Sequence, residues 1–244
     1  MKRTFGILFT LFVVLAALYV RADSTAPVVF QVSSLAAFKQ GEYDGGTTFA
    51  ELKSHGDFGI GTVNGLDGEM IALNGQFFQI KSDGTVHAIA DSEKTPYAMV
   101  TFFKVDRDLR LPPQTRGFAQ LQETLDRLIR EVNSILAVKI SGEFAYLKVR
   151  SVPRQQKPYA SLEEVLKNQT VFELRNIRGS MVGFRFPSYM DGVNAPAYHF
   201  HFITEDRKTG GHVLDCTIEG LPVEIAVKSR LELILPSVLI NVTP

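Results

Sequence analysis

The segment Ala197-Tyr198-His199-Phe200-His201-Phe202-Ile203-Thr204-Glu205-Asp206-Arg207-Lys208-Thr209-Gly210-Gly211-His212-Val213-Leu214-Asp215 reads as two strands joined by a hairpin. Side chains alternate across a strand, so His199 and His201 share one face and Phe200 and Phe202 the other. The polar run from Thr204 ends in Gly210-Gly211, which suits a hairpin connection. A returning antiparallel strand lies about 4.8 Å away, which lets His212 fall opposite the pair. Three imidazole nitrogens with an open fourth position are what catalytic zinc uses. Nitrogen ligands alone leave copper and iron open as well. The competing reading is three separate histidines, each satisfied by ordinary hydrogen bonds. A strand-spaced pair with a third histidine across a glycine hairpin favours the metal. His55 and His87 have no such company.

Outward from the hairpin the last third stays strand-rich, with runs at 181–186, 197–203, 212–218, 222–227 and 231–235. Further strands are predicted at 138–140 and 144–149, at Phe77–Ile80 and at Met99–Phe103. Phe118, Leu121, Leu125, Leu128, Ile129, Val132, Ile135 and Leu136 recur at helical spacing and predict one long amphipathic helix from Phe118 to Leu136 that covers a sheet. Ser161-Leu162-Glu163-Glu164 matches a capping box and starts a short helix, and residues 47–55 suit another. The fold class is mixed, sheet-rich α/β. The expected division is an N-terminal α/β part over 23–137 and a strand-rich, metal-binding part over 138–244, with the long helix between them.

Residues 1–22 are set aside. Lys2 and Arg3 precede an uncharged apolar run from Gly6 to Val20, and small residues follow at Val20-Arg21-Ala22. That layout predicts a secretory signal peptide and an exported, secreted or periplasmic, mature chain without stable membrane association after cleavage. The full chain carries 26 basic and 26 acidic residues; without Lys2, Arg3 and Arg21, 23 basic residues face 26 acidic ones. No basic stripe calls for nucleic acid and no polybasic cluster for anionic lipid. The single cysteine, Cys216, excludes a disulfide within the chain and reads as a small buried residue. By strand parity it faces the same side as His212, four residues along. Asn168-Gln169-Thr170 and Asn241-Val242-Thr243 fit the glycosylation pattern, which has meaning only in a eukaryotic source.

Three separated motifs carry a family resemblance. The hairpin His199-Phe200-His201-Phe202, with Asp206-Arg207 and Gly210-Gly211-His212-Val213-Leu214-Asp215, is the first. The second is His55-Gly56-Asp57-Phe58-Gly59-Ile60-Gly61-Thr62 running into Leu66-Asp67-Gly68-Glu69, and the third is Arg150-Ser151-Val152-Pro153-Arg154-Gln155 followed by Lys157-Pro158-Tyr159. Together they resemble the acetolactate decarboxylases, over nearly the whole mature chain. The resemblance implies a two-part α/β fold with zinc in the cleft between the parts, held by His199, His201 and His212. It implies a lyase of acetoin biosynthesis that converts 2-acetolactate to acetoin and carbon dioxide. In that scheme zinc chelates the substrate hydroxyl and ketone oxygens and stabilises an enediolate. It places the family's active-site arginine on Arg150, its active-site glutamate on Glu69 and a substrate-contacting threonine on Thr62. Taken singly, each has a plainer reading: a sheet-edge charge, a turn carboxylate, an ordinary strand residue.

One feature departs from the family. Its members carry a second active-site glutamate in a C-terminal extension, whereas no carboxylate follows Glu232 here. The alternative expectation is therefore a non-catalytic zinc-binding member, or one with altered specificity for another hydroxy-keto acid. The expected partner is a small molecule in either case, and a homodimer is the ordinary expectation for assembly.

Overall fold

The computed structural model describes residues 27–236 except 132. The predicted signal segment 1–22 and Asn241 lie outside the described residues. Two seven-stranded sheets dominate. The first runs, edge to edge, Arg230–Ile234, Val28–Val32, Ala98–Thr101, Phe58–Gly61, Glu69–Leu73, Gln76–Ile80 and Val86–Ala88. The second runs Thr115–Arg116, Gly210–Ile218, Ala197–Thr204, Thr170–Phe186, Ile135–Ser151, Pro222–Lys228 and Arg107–Arg110. The strand Ile135–Ser151 pairs with Pro222–Lys228 along its first half and with Gly210–Ile218 along its second, so the second sheet closes on itself there.

Period-two burial explains the layering. Ile60, Ile71 and Met99 of the first sheet meet Ala137, Val182, Phe184 and Ile203 of the second in one buried cluster. The opposite face of the second sheet, with Phe200, Phe202 and Val213, is covered by Leu121, Leu125 and Ile129 of the helix Phe118–Ile129. The opposite face of the first sheet, with Met70, Ala72 and Val100, is covered by Phe49 and Leu52 of the helix Phe49–His55.

Several expectations are corrected. The long helix ends at Ile129, where Arg130 takes a left-handed conformation and donates to the Asp126 carbonyl. Ile135 and Leu136 are instead the first residues of a strand, buried on opposite faces in different clusters, so their helical spacing is coincidental; residue 132 lies outside the described residues. The runs 138–140 and 144–149 form one strand because the ladder continues through Gly142, which pairs with Gly179. The run 181–186 extends back to Thr170, through mostly exposed residues of which Phe172, Leu174 and Ile177 are part-buried against the helix-side core. The sheets also exchange strands across the expected boundary at 137. Arg107–Arg110 and Thr115–Arg116 belong to the second sheet, and Arg230–Ile234 returns to the first, parallel to Val28–Val32. The short helices and the hairpin lie where expected: Ser161 Oγ accepts from the Glu164 amide at the start of Leu162–Leu166.

Candidate metal centre

The strands Ala197–Thr204 and Gly210–Ile218 bring His201 directly opposite His212. His199 lies two residues from His201 on the same face, towards the first sheet, while Phe200 and Phe202 turn to the far side. Ring centroids are 4.7 Å apart for His199 and His212, 5.1 Å for His199 and His201, and 5.3 Å for His201 and His212. One ring nitrogen from each of the three lies within 4.8 Å of the others.

The ring of His201 is oriented from outside the cluster. Its Nδ1 lies 2.7 Å from the Met70 carbonyl in the first sheet. A carbonyl only accepts, so Nδ1 carries the proton and Nε2 keeps its lone pair. Nε2 lies 3.3 Å from Glu69 Oε2 but lacks hydrogen-bond geometry to it, and it is buried with no hydrogen-bond partner among the described residues. An orphaned buried nitrogen of this kind calls for an explanation, and a metal supplies one. His199 Nε2 and His212 Nδ1 lie 3.1 Å apart. Burial, reinforced by the Arg150 charge, pulls His199 down to about 3. His201 and His212 fall well below the ordinary histidine range, also chiefly through burial. All three are therefore neutral at pH 7, the form that ligates. The donor set, its protonation and a carbonyl holding one ring in place all fit a catalytic zinc site.

Around the cluster lies a cavity of about 300 Å³ between the two sheets. Thr62, Glu69 and Arg150 line it together with the three histidines, so all six predicted site residues meet at one place. Arg150 pairs in register with His212, which puts both on the face towards the first sheet. Glu69 is 6% exposed. Burial pushes its carboxyl up to about 7, and the Arg150 charge works against that shift. Thr62 donates its hydroxyl proton to the Gly68 carbonyl at 2.6 Å, so its oxygen remains free to accept. His55 stacks on Phe30 and His87 bonds to Thr85, both away from this cavity.

Other lining residues were not singled out as site residues in the sequence: Leu66 belongs to the second motif and Leu162 to the capping box, while Leu35, Phe38 and Tyr97 belong to no motif. Phe118, on the helix to which sequence gave no chemistry, also lines the cavity. Its amide donates to Asp215 Oδ1 on the hairpin strand at 2.9 Å, which caps the helix from a distant element. Cys216 does not face the histidines. A bulge in the pairing beside Lys148 and Val149 places Val213 and Asp215 opposite consecutive residues. That reverses the parity, and Cys216 packs beside Val213 in the helix-side cluster, its thiol pushed up to about 12 by burial.

A family model described as alpha-acetolactate decarboxylase matches residues 29–239. The chain is 44% identical to the alpha-acetolactate decarboxylase of Methanosarcina mazei, over 88% of this chain and 75% of that one. It is 45% identical to that of Methylococcus capsulatus, over 85% and 80% respectively. The crystal structure of the Bacillus subtilis alpha-acetolactate decarboxylase superposes with a TM-score of 0.83 at 36% identity, covering 86% of this chain and 89% of that one.

Proposed function

Since this chain belongs to the alpha-acetolactate decarboxylase family, a family of carboxy-lyases, we propose that it converts 2-acetolactate to acetoin and carbon dioxide at a zinc centre held by His199, His201 and His212. The observation that carries this reading is the meeting of three neutral histidines, Arg150, Glu69 and Thr62 on one cavity. Zinc, when bound, supplies Lewis acidity to the adjacent hydroxyl and ketone oxygens of the substrate.

The chain's own residues supply the rest. Arg150 presents a planar fork to the substrate carboxylate and offsets negative charge that develops on oxygen. As the bond to the carboxyl carbon breaks, its electron pair stays with the organic fragment and carbon dioxide departs. A proton must then be delivered to that fragment. Glu69, buried beside His201 and holding its proton more tightly than an ordinary carboxylate, is the group for this. Thr62 Oγ1, its own proton committed to Gly68, accepts from the substrate hydroxyl. The apolar walls limit water around the reacting atoms. Export of the mature enzyme rests on the pattern of residues 1–22 alone.

Acetoin and carbon dioxide release from racemic acetolactate tests the proposal. Equal amounts of the two products from the zinc-loaded chain are expected. A folded, zinc-loaded chain that releases neither would contradict it and favour a binding role or another hydroxy-keto acid.

A further inference from the structure

Glu69 stands at the meeting of two hydrogen bonds that cross from the second sheet to the first. One belongs to the metal centre: His201 Nδ1 donates to the carbonyl of Met70, the next residue in the chain. The other comes from Ser151, the residue after Arg150. Its hydroxyl donates to the Ile80 carbonyl at 2.8 Å, and Ile80 is the cross-strand partner of Glu69. Ser151 is 0% exposed, so this bond forms away from water. The Ile80 carbonyl also lies against the turn that joins Thr62 to Glu69. A Cβ on Gly68 would meet it at 2.2 Å, and the Gly68 carbonyl accepts the Thr62 hydroxyl. Beyond Ser151, the Gln155 amide donates to the Gly65 carbonyl in that same turn at 2.7 Å. Arg150 and Glu69 belong to different sheets, so no strand pairing fixes their separation. A misplacement of about 1 Å between reacting groups can cost about 10²-fold in rate.

We propose that Ser151 is a positioning residue, whose hydrogen bond to the Ile80 carbonyl sets Arg150 against Glu69 across the cavity. Ser151 acts through its neighbour rather than on the substrate. This rests on the decarboxylase reading for the roles of Arg150 and Glu69, and on the two sheet-to-sheet bonds for the geometry. Thr101 provides an internal control. It is also 0% exposed and donates its hydroxyl to a carbonyl, that of Val28 at 2.6 Å, but this bond lies within the first sheet and neither residue lines the cavity.

The test compares wild type, Ser151→Ala, Arg150→Lys, the double variant and Thr101→Val, each zinc-loaded. The measurements are zinc content, Tm, kcat and KM on racemic acetolactate, and crystal structures of wild type and Ser151→Ala. For Ser151→Ala a fall in kcat of about 10- to 100-fold is expected, with KM and zinc content kept. Thr101→Val should lower Tm to a similar extent and keep the wild-type kcat. In the Arg150→Lys background the serine change should cost little more, because the fork it positions is already gone. The crystal structures should show Arg150 displaced relative to Glu69. A wild-type kcat in Ser151→Ala would overturn the proposal, as would loss of zinc, or the same fold-loss with and without Arg150. Should Ser151→Ala not fold, Ser151→Cys, which keeps only a weak donor, is judged on the same readouts. If wild type releases no acetoin, the decarboxylase reading fails, and the two crystal structures alone decide the role of Ser151: an unmoved Arg150 overturns it and a displaced one upholds it.

Discussion

His201 gains its ligand form from a backbone atom: the Met70 carbonyl accepts a hydrogen bond from Nδ1–H, which keeps the proton on Nδ1 and leaves the lone pair on Nε2. Hairpin spacing was enough to bring out the three histidines, because strand alternation is a strict geometric rule. It could not indicate Met70, whose contribution is a carbonyl that every residue has. Thr62, Glu69 and Arg150 became legible only through the family motifs, since each alone suits a turn or a sheet edge. Arg150→Lys keeps the charge but loses the fork. We expect zinc retained and kcat/KM lowered by about 10²-fold, of the order of an oxyanion donor's loss; steady-state kinetics beside metal analysis checks both. Cys216 is 1% exposed, so Ellman's reagent should label it only after denaturant is added. Rapid labelling of the native protein would place the thiol elsewhere.

At the scale of elements, strands with a fully buried face were read well, and the strand segment with only a part-buried face was not. Thr170–Ile177 pairs with Phe144–Ser151, yet most of its side chains are exposed, and the part-buried Phe172 and Leu174 fall out of step with Ile177 across the left-handed Asn176. The helix was overextended because apolar residues from two elements fell at a common spacing. The bulge beside Val149 left no local trace, and it alone decides where Cys216 points. Two positions hold the hairpin in place. Gly211 sits at φ 147°, and a Cβ there would meet the Arg150 carbonyl at 2.5 Å. Gly211→Ala should therefore lower Tm and weaken zinc binding together, read by a thermal melt and a chelator competition. Asp215→Ala removes the cap from the helix Phe118–Ile129 and should cost about 1 kcal/mol in denaturant unfolding. Since Phe118 lines the cavity, KM should rise as well.

For the whole molecule, the mixed, sheet-rich class was legible from composition and periodicity, but the exchange of strands between sheets was not. Pairing of Val28–Val32 with Arg230–Ile234 joins residues some 200 positions apart, which no local pattern records. The cavity lies between the sheets and draws on both, so a ligand there couples them. Zinc that binds only the folded state should raise Tm, and a chelator should lower it, in proportion to the logarithm of zinc concentration over its Kd. Leu125→Ala, in the helix-side core, should cost about 2–5 kcal/mol while leaving zinc stoichiometry intact in the folded fraction.

The most direct test of the metal centre is bound zinc per chain by elemental analysis, with acetoin release from racemic acetolactate measured on the same samples of wild type and His201→Ala. The account predicts one zinc and turnover in wild type, with both lost in a variant that remains folded by circular dichroism. Turnover by a zinc-free wild type, or by His201→Ala at an undiminished rate, would contradict it.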